Sequence, residues 1–181
     1  YINALKISVL NFWKKKGKPS KLIMSFHGIP KKSLYQGDPY HCECHKTGRL
    51  LAEALNLKES EYKICFQSRF GKAEWLKPYF SEIITDLGKE KIKNIHVICP
   101  GFSSDCLETL EEINIEGKSI FLDNGGKNYN YIPALNTNPD WIKAMGEILN
   151  SNLQGWIDQD WSLVKQQKKS ALTKKQAEKF K

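Results

Sequence analysis

Along this chain, short apolar runs alternate with segments in which apolar residues recur every three or four positions. Leu22 to Phe26 is one such run, and it stops at His27-Gly28-Ile29-Pro30, where glycine and proline end regular structure. Residues 61–67, with Tyr62, Ile64 and Phe66, read as a second strand that ends in Gln67-Ser68-Arg69-Phe70-Gly71. Residues 94–99 read as a third, ending in Pro100-Gly101-Phe102. Helical spacing links Ile2, Leu5, Val9, Phe12 and Trp13. It recurs at Leu50, Leu51, Ala54 and Leu55, at Tyr79, Phe80, Ile83, Ile84 and Leu87, and at Leu107, Leu110 and Ile113 within residues 104–113. Ile120 to Leu122 and Tyr129 to Ile132 read as shorter strands around the Asn124-Gly125-Gly126 turn. Asn138-Pro139 then opens a helix with Ile142, Met145 and Leu149 inward.

Strands alternating with helices at this pitch predict right-handed crossovers. The fold class is α/β, with a parallel sheet of about four strands and helices on both faces. The expected organisation is an entry helix over residues 1–21, an α/β body over 22–150, and a lysine-rich extension over 151–181 that is partly helical or disordered. In such sheets the site lies outside the carboxyl ends of the strands. His27, Gln67 to Arg69, and the turn from Pro100 to Asp105 mark those ends.

A length of 181 residues with 40% hydrophobic content supports one core and excludes a disordered chain. The net charge of +8 would suggest nucleic acid or an anionic surface as partner. Its distribution points elsewhere: residues 1–22 carry +6, residues 151–181 carry +4, and the body between them carries −2. No nucleic-acid partner is therefore expected. In the extension, Trp156, Trp161, Leu163, Val164 and Leu172 interleave with lysines, which reads as a solvated helix, with weak contact to an anionic membrane surface as the alternative. No apolar stretch approaches the roughly 18 residues of a membrane span, and no signal-peptide pattern opens the chain. Five cysteines, an odd number, with Cys65 and Cys99 inside strand-like runs, suit a reducing cytoplasm. The first residue is Tyr1 rather than Met, so the chain reads as a piece of a longer protein.

Three groups of residues could carry chemistry. His27 sits where a parallel sheet presents its ligands, and imidazole can act as a base or a metal ligand. Asp105, Glu108 and Glu112 are three and four positions apart, which on a helix aligns their carboxylates opposite Leu107, Leu110 and Ile113, while Glu111 and Glu116 read as solvent-facing charge. His41-Cys42-Glu43-Cys44-His45 is dense in donors, but its spacing is not that of a structural zinc site, and these residues are read as free or adventitiously metal-binding. G-x-G-x-x-G, P-loop, H-E-x-x-H and G-x-S-x-G patterns do not occur.

Together, Met24-Ser25-Phe26-His27-Gly28-Ile29-Pro30, Gly37-Asp38-Pro39-Tyr40, Phe66-Gln67-Ser68-Arg69-Phe70-Gly71 and Glu74-Trp75-Leu76-Lys77-Pro78-Tyr79 form an ordered series. Cys99-Pro100-Gly101-Phe102-Ser103-Ser104-Asp105-Cys106-Leu107-Glu108-Thr109-Leu110-Glu111-Glu112 and Tyr131-Ile132-Pro133-Ala134-Leu135-Asn136 continue it. The series resembles the C-terminal half of a bacterial ferrochelatase over residues 22–150, with residues 1–21 as the linking helix. The resemblance implies insertion of ferrous iron into protoporphyrin IX, in a cleft between two similar α/β halves. The N-terminal half would be missing here, so the fragment alone is expected to be inactive. His27 and Glu108 would be the catalytic and metal-binding residues, Asp105 and Glu112 an acidic relay on a helix with a π-type widening, and Trp75 and Phe102 aromatic residues beside the macrocycle. No cofactor beyond substrate iron is implied, and the cysteines do not form a recognisable iron–sulfur set. The alternatives are a chelatase for another tetrapyrrole or metal, and a non-catalytic haem- or metal-binding α/β module.

Overall fold

The computed structural model describes residues 1–156 and 161–180. In chain order it runs α1 (Ile2–Lys16), β1 (Lys21–His27), α2 (Lys31–Tyr35), α3 (Tyr40–Ala54), β2 (Tyr62–Gln67), α4 (Phe80–Lys89) and β3 (Asn94–Ile98). A π-helix (Glu108–Glu116), α5 (Gly117–Asp123), β4 (Asn128–Tyr131), α6 (Pro139–Asn152) and α7 (Leu163–Glu178) follow. The strands form one sheet in the order β2-β1-β3-β4, and every pair is parallel. This is the predicted α/β class.

Strand β1 is buried from Leu22 to Phe26, as a central strand covered on both faces must be. Its alternation divides the core. Leu22, Met24 and Phe26 pack with Leu5 and Val9 of α1 and Leu51 of α3 on one side. Ile23 joins Ile84 of α4, Val97 of β3, Ile113 of the π-helix and Phe121 of α5 on the other. The periodicity of two along the strand thus builds two apolar layers.

Two sequence expectations change. Ile120 to Leu122 is helical, inside α5, because Phe121 turns inward to the core while Leu122 is exposed, an arrangement that continues the preceding helix. Ile142 and Leu149 on α6 are exposed rather than inward, and α6 buries no residue among those described. The His41 to His45 segment lies in the first turns of α3. The chain divides into two compact units, Tyr1–Ile142 and Lys143–Lys181. The second contains α7, and of the extension expected over 151–181, residues 157–160 and 181 lie outside the described residues. No described helix is long and apolar enough to cross a membrane.

His96 of β3 is fully buried against the edge of the Phe12 ring, 5.3 Å between centroids, and neither ring nitrogen has a hydrogen-bond partner among the described residues. Burial pushes its pKa down to about 4. As the pH falls, the unfolded chain takes the proton first, near pH 6.5, so stability is full above that value and is lost progressively down to about pH 4. Urea melts should show up to about 3 kcal/mol of acid-induced loss from this residue. His96→Phe should remove that share of the loss, and identical pH profiles for the two proteins would contradict it.

Candidate functional site

The chain leaves β1 toward β2 on one side of the sheet, whereas β3 leads to β4 on the other. The crevice beyond the carboxyl ends of β1 and β3 is therefore the topological switch point, where open α/β sheets bind ligands. His27 is the last residue of β1. Its neighbour Gly28 donates its N–H to the Gln67 carbonyl at 2.8 Å, and a Cβ there would lie 2.8 Å from that oxygen and 3.1 Å from the Trp75 ring. Only glycine fits. The Tyr40 hydroxyl, at the start of α3, donates to the His27 carbonyl at 2.8 Å and fixes the same turn from behind. His27 Nδ1 lies 2.7 Å from the Gly28 carbonyl. A carbonyl only accepts, so Nδ1 carries the proton, and Nε2 of the neutral ring keeps its lone pair.

Opposite His27 stands the π-helix. Its widened ladder is supported by the buried Tyr129 hydroxyl, which donates to the Ile113 carbonyl, and by Gly117, where a Cβ would meet the Phe80 ring at 2.7 Å and the Tyr129 hydroxyl at 2.9 Å. An i→i+5 ladder turns roughly 80° per residue rather than about 100°. Glu108, Glu111, Glu112 and Glu116 then fall within about a third of the circumference. All four line a groove of about 610 Å³ together with His27 and Arg69. The same winding overturns the expected apolar face: Ile113 is buried, but Leu107 is 75% and Leu110 47% exposed. Glu111 and Glu116 are exposed, as expected, and also border the groove.

The three predicted acids have different environments. Glu112 is pinned to the exit of β2, accepting from the Ser68 backbone N–H at 2.6 Å, from the Ser68 hydroxyl, and from Gln67 Nε2 at 3.4 Å. Gln67 is itself buried, accepting from Ser25 Oγ at 2.9 Å and donating to the Glu108 carbonyl at 3.2 Å. Glu108 has a carboxyl held below its usual range chiefly by the Cys106 thiol and by its own backbone N–H. It is an anion at neutral pH. Asp105 precedes the π-helix and does not line the groove. Its carboxylate accepts from Tyr131 Oη at 2.7 Å, Asn136 Nδ2 at 2.7 Å, the Ala134 N–H at 3.2 Å and Thr109 Oγ1 at 3.2 Å. Partial burial alone would raise its pKa, but those bonds together hold it below the usual value. The structure therefore brings His27, Glu108 and Glu112 together and sets Asp105 behind them as the anchor of the π-helix.

Trp75 and Phe102 both flank His27, with ring centroids 6.4 and 6.3 Å from the imidazole. His41 and His45 do not line the groove, and burial followed by the charge of His41 lowers the His45 pKa. Among the described residues no group of three or more His, Cys, Asp or Glu side chains is placed to hold a metal ion. Sequence reasoning passed over Gln67 and Ser68 as the clamp on Glu112, and over Tyr131 and Asn136 as partners of Asp105. The Gln67-Ser68 strand exit was the available signal for the first pair.

A family model described as Ferrochelatase matches residues 1–153. The chain is 60% identical over 158 residues to a ferrochelatase of Nitrosomonas europaea, covering 87% of the chain and 43% of that protein. It is 59% identical over 157 residues to one of Methylobacillus flagellatus, covering 87% and 46%. It therefore spans less than half the length of these relatives. A solved structure of a CbiX protein assigned to cobalamin (vitamin B12) biosynthesis, from Marinobacter aquaeolei, superposes with a TM-score of 0.50 at 15% identity, covering 75% of this chain and 98% of that one. That likeness concerns the fold.

Removing the Asp105 carboxylate should loosen the π-helix without touching the groove lining. Asp105→Ala takes the acceptor from Tyr131 Oη and three further donors, so urea melts should show a loss of about 2–3 kcal/mol at pH 7. Because the folded pKa is depressed, the wild-type advantage should be full above about pH 4 and vanish as pH falls through the lower folded value. Equal stability of the two proteins at pH 7 would show that Asp105 is no anchor.

Proposed function

Given that the chain belongs to the ferrochelatase family, we propose that the protein it forms part of inserts ferrous iron into protoporphyrin IX to give protohaem. This chain supplies the histidine and acidic wall of the cleft. The observation that carries the reading is the placement of His27, with Nε2 free, across one groove from a π-helix whose glutamates converge.

Metallation exchanges two pyrrole protons for one divalent cation. Ferrous ion and neutral porphyrin give the metalloporphyrin and two protons, so the site must attract a cation, strip its water and take protons away. Glu108, ionised at neutral pH, supplies the anionic ligand, with Glu111 and Glu116 extending the negative path along the helix. His27 Nε2 is placed either to accept a pyrrole proton or to ligate the metal. Trp75 and Phe102 give the macrocycle apolar faces on both sides of the imidazole. Ser68 and Gln67 hold Glu112 in place, so mutual repulsion does not splay the acids apart as the cation leaves.

None of the ion pairs among the described residues engages a groove glutamate, so their charge remains available to a cation. The same negative wall disfavours a nucleic-acid partner. The remaining wall of the cleft is assigned to the rest of the polypeptide, a reading supported by the chain's spanning less than half the length of its relatives. The described cysteines are all free thiols, which suits the reducing cytoplasm.

In the complete protein, His27→Ala and Glu108→Gln should each lower kcat about 100-fold or more while leaving the melting temperature within a few degrees of wild type. The isolated chain should show no turnover. Assays run in parallel with protoporphyrin, coproporphyrin and sirohydrochlorin as acceptors identify the substrate. Near-normal rates in both variants, or a clear preference for sirohydrochlorin, would refute the proposal.

A further inference from the structure

Of the donor-rich segment His41 to His45, the groove uses nothing. In α3 the two histidines are one helical turn apart, at i and i+4, so their side chains rise from the same face. Their ring centroids are 4.4 Å apart, with planes inclined by 48°. Two imidazoles sharing a tetrahedral ion at about 2.1 Å have centres roughly 5 Å apart. The observed separation is close to that value, so the two rings are near enough to share one ion.

The rings are not free to wander. His41 stacks on Phe66 at 5.7 Å and 20°, and His45 leans on the same ring at 6.0 Å. Phe66 is only 1% exposed and packed in the core, so it is a fixed platform for both. The helix start is fixed as well, since the Tyr40 N–H bonds Asp38 Oδ1 at 2.9 Å. Both histidines keep partial solvent exposure, so an ion can reach them.

We infer that His41 and His45 form a two-histidine site for a borderline divalent transition-metal ion, with water completing the coordination, separate from the groove and independent of its reaction. Two neutral nitrogen donors select zinc, copper, nickel or cobalt over magnesium and calcium, which require oxygen. No third His, Cys, Asp or Glu among the described residues joins the pair, so the ion is held weakly and exchanges. Cys42, the exposed thiol between them in sequence, is not part of the site.

The test is a calorimetric titration of Zn2+ into the complete, untagged protein carrying His27→Ala, Glu108→Gln, Glu111→Gln and Glu116→Gln, which removes the groove's proposed cation ligands and path. One zinc per chain should bind and raise the melting temperature. Adding His45→Gln should lower the affinity at least tenfold and abolish the rise, and His41→Gln should do the same. Should the loss of the Phe66 contact unfold the His41 variant, the His45 variant with an unchanged circular dichroism spectrum decides alone. Cys42→Ser should bind like its parent. Absence of a zinc site in the parent, undiminished binding in the folded histidine variants, or loss of binding in Cys42→Ser would each overturn the assignment.

Discussion

Most of the site follows from one close approach, the Gly28 N–H against the Gln67 carbonyl, at a distance no side chain on residue 28 would permit. That contact locks the exit of β1 to the exit of β2. His27 is thereby held at the mouth of the switch point, and Gln67 and Ser68 are presented to whatever crosses from β3. What crosses is the π-helix, and Glu112 is caught by both residues. Sheet geometry, the histidine and the acidic wall are linked through a few short hydrogen bonds.

The wall so built is energetically unfinished on its own. Four glutamates share one side of a single helix, which is repulsive without a counter-charge. Leu107 and Leu110 are turned out toward solvent by the same winding that gathers the acids. Such features are retained at functional sites rather than for stability. A cation in the groove would offset the repulsion. The lysines concentrated at the two ends of the chain keep the average basic while the chemistry is acidic.

Much of the fold could be read from local pattern. The strands of the central sheet end where Gly and Pro forbid extension, and strand ends mark the site in a parallel sheet. Ile120 to Leu122 failed because three apolar residues carry no period, and only the continuity from Gly117 into buried Phe121 makes them helical. Asp105 shared a spacing with Glu108 and Glu112, but Tyr131 and Asn136, distant in sequence, take up its oxygens. No local period contains such a pairing. The exposure of Leu107 and Leu110 was likewise hidden, since periodicity assumes an α-helix and the ladder here is wider. The motif runs, by contrast, identified the family, because long ordered matches depend on neither period nor winding.

The central claim is that His27 and Glu108 form a single cation-handling pair across the groove. Anomalous diffraction from crystals of the complete protein soaked with Co2+ tests it most directly. The account predicts a cobalt peak within about 2.3 Å of His27 Nε2 and of a Glu108 carboxylate oxygen, lost in His27→Ala. Crystals with cobalt bound elsewhere and none between these two side chains would contradict it.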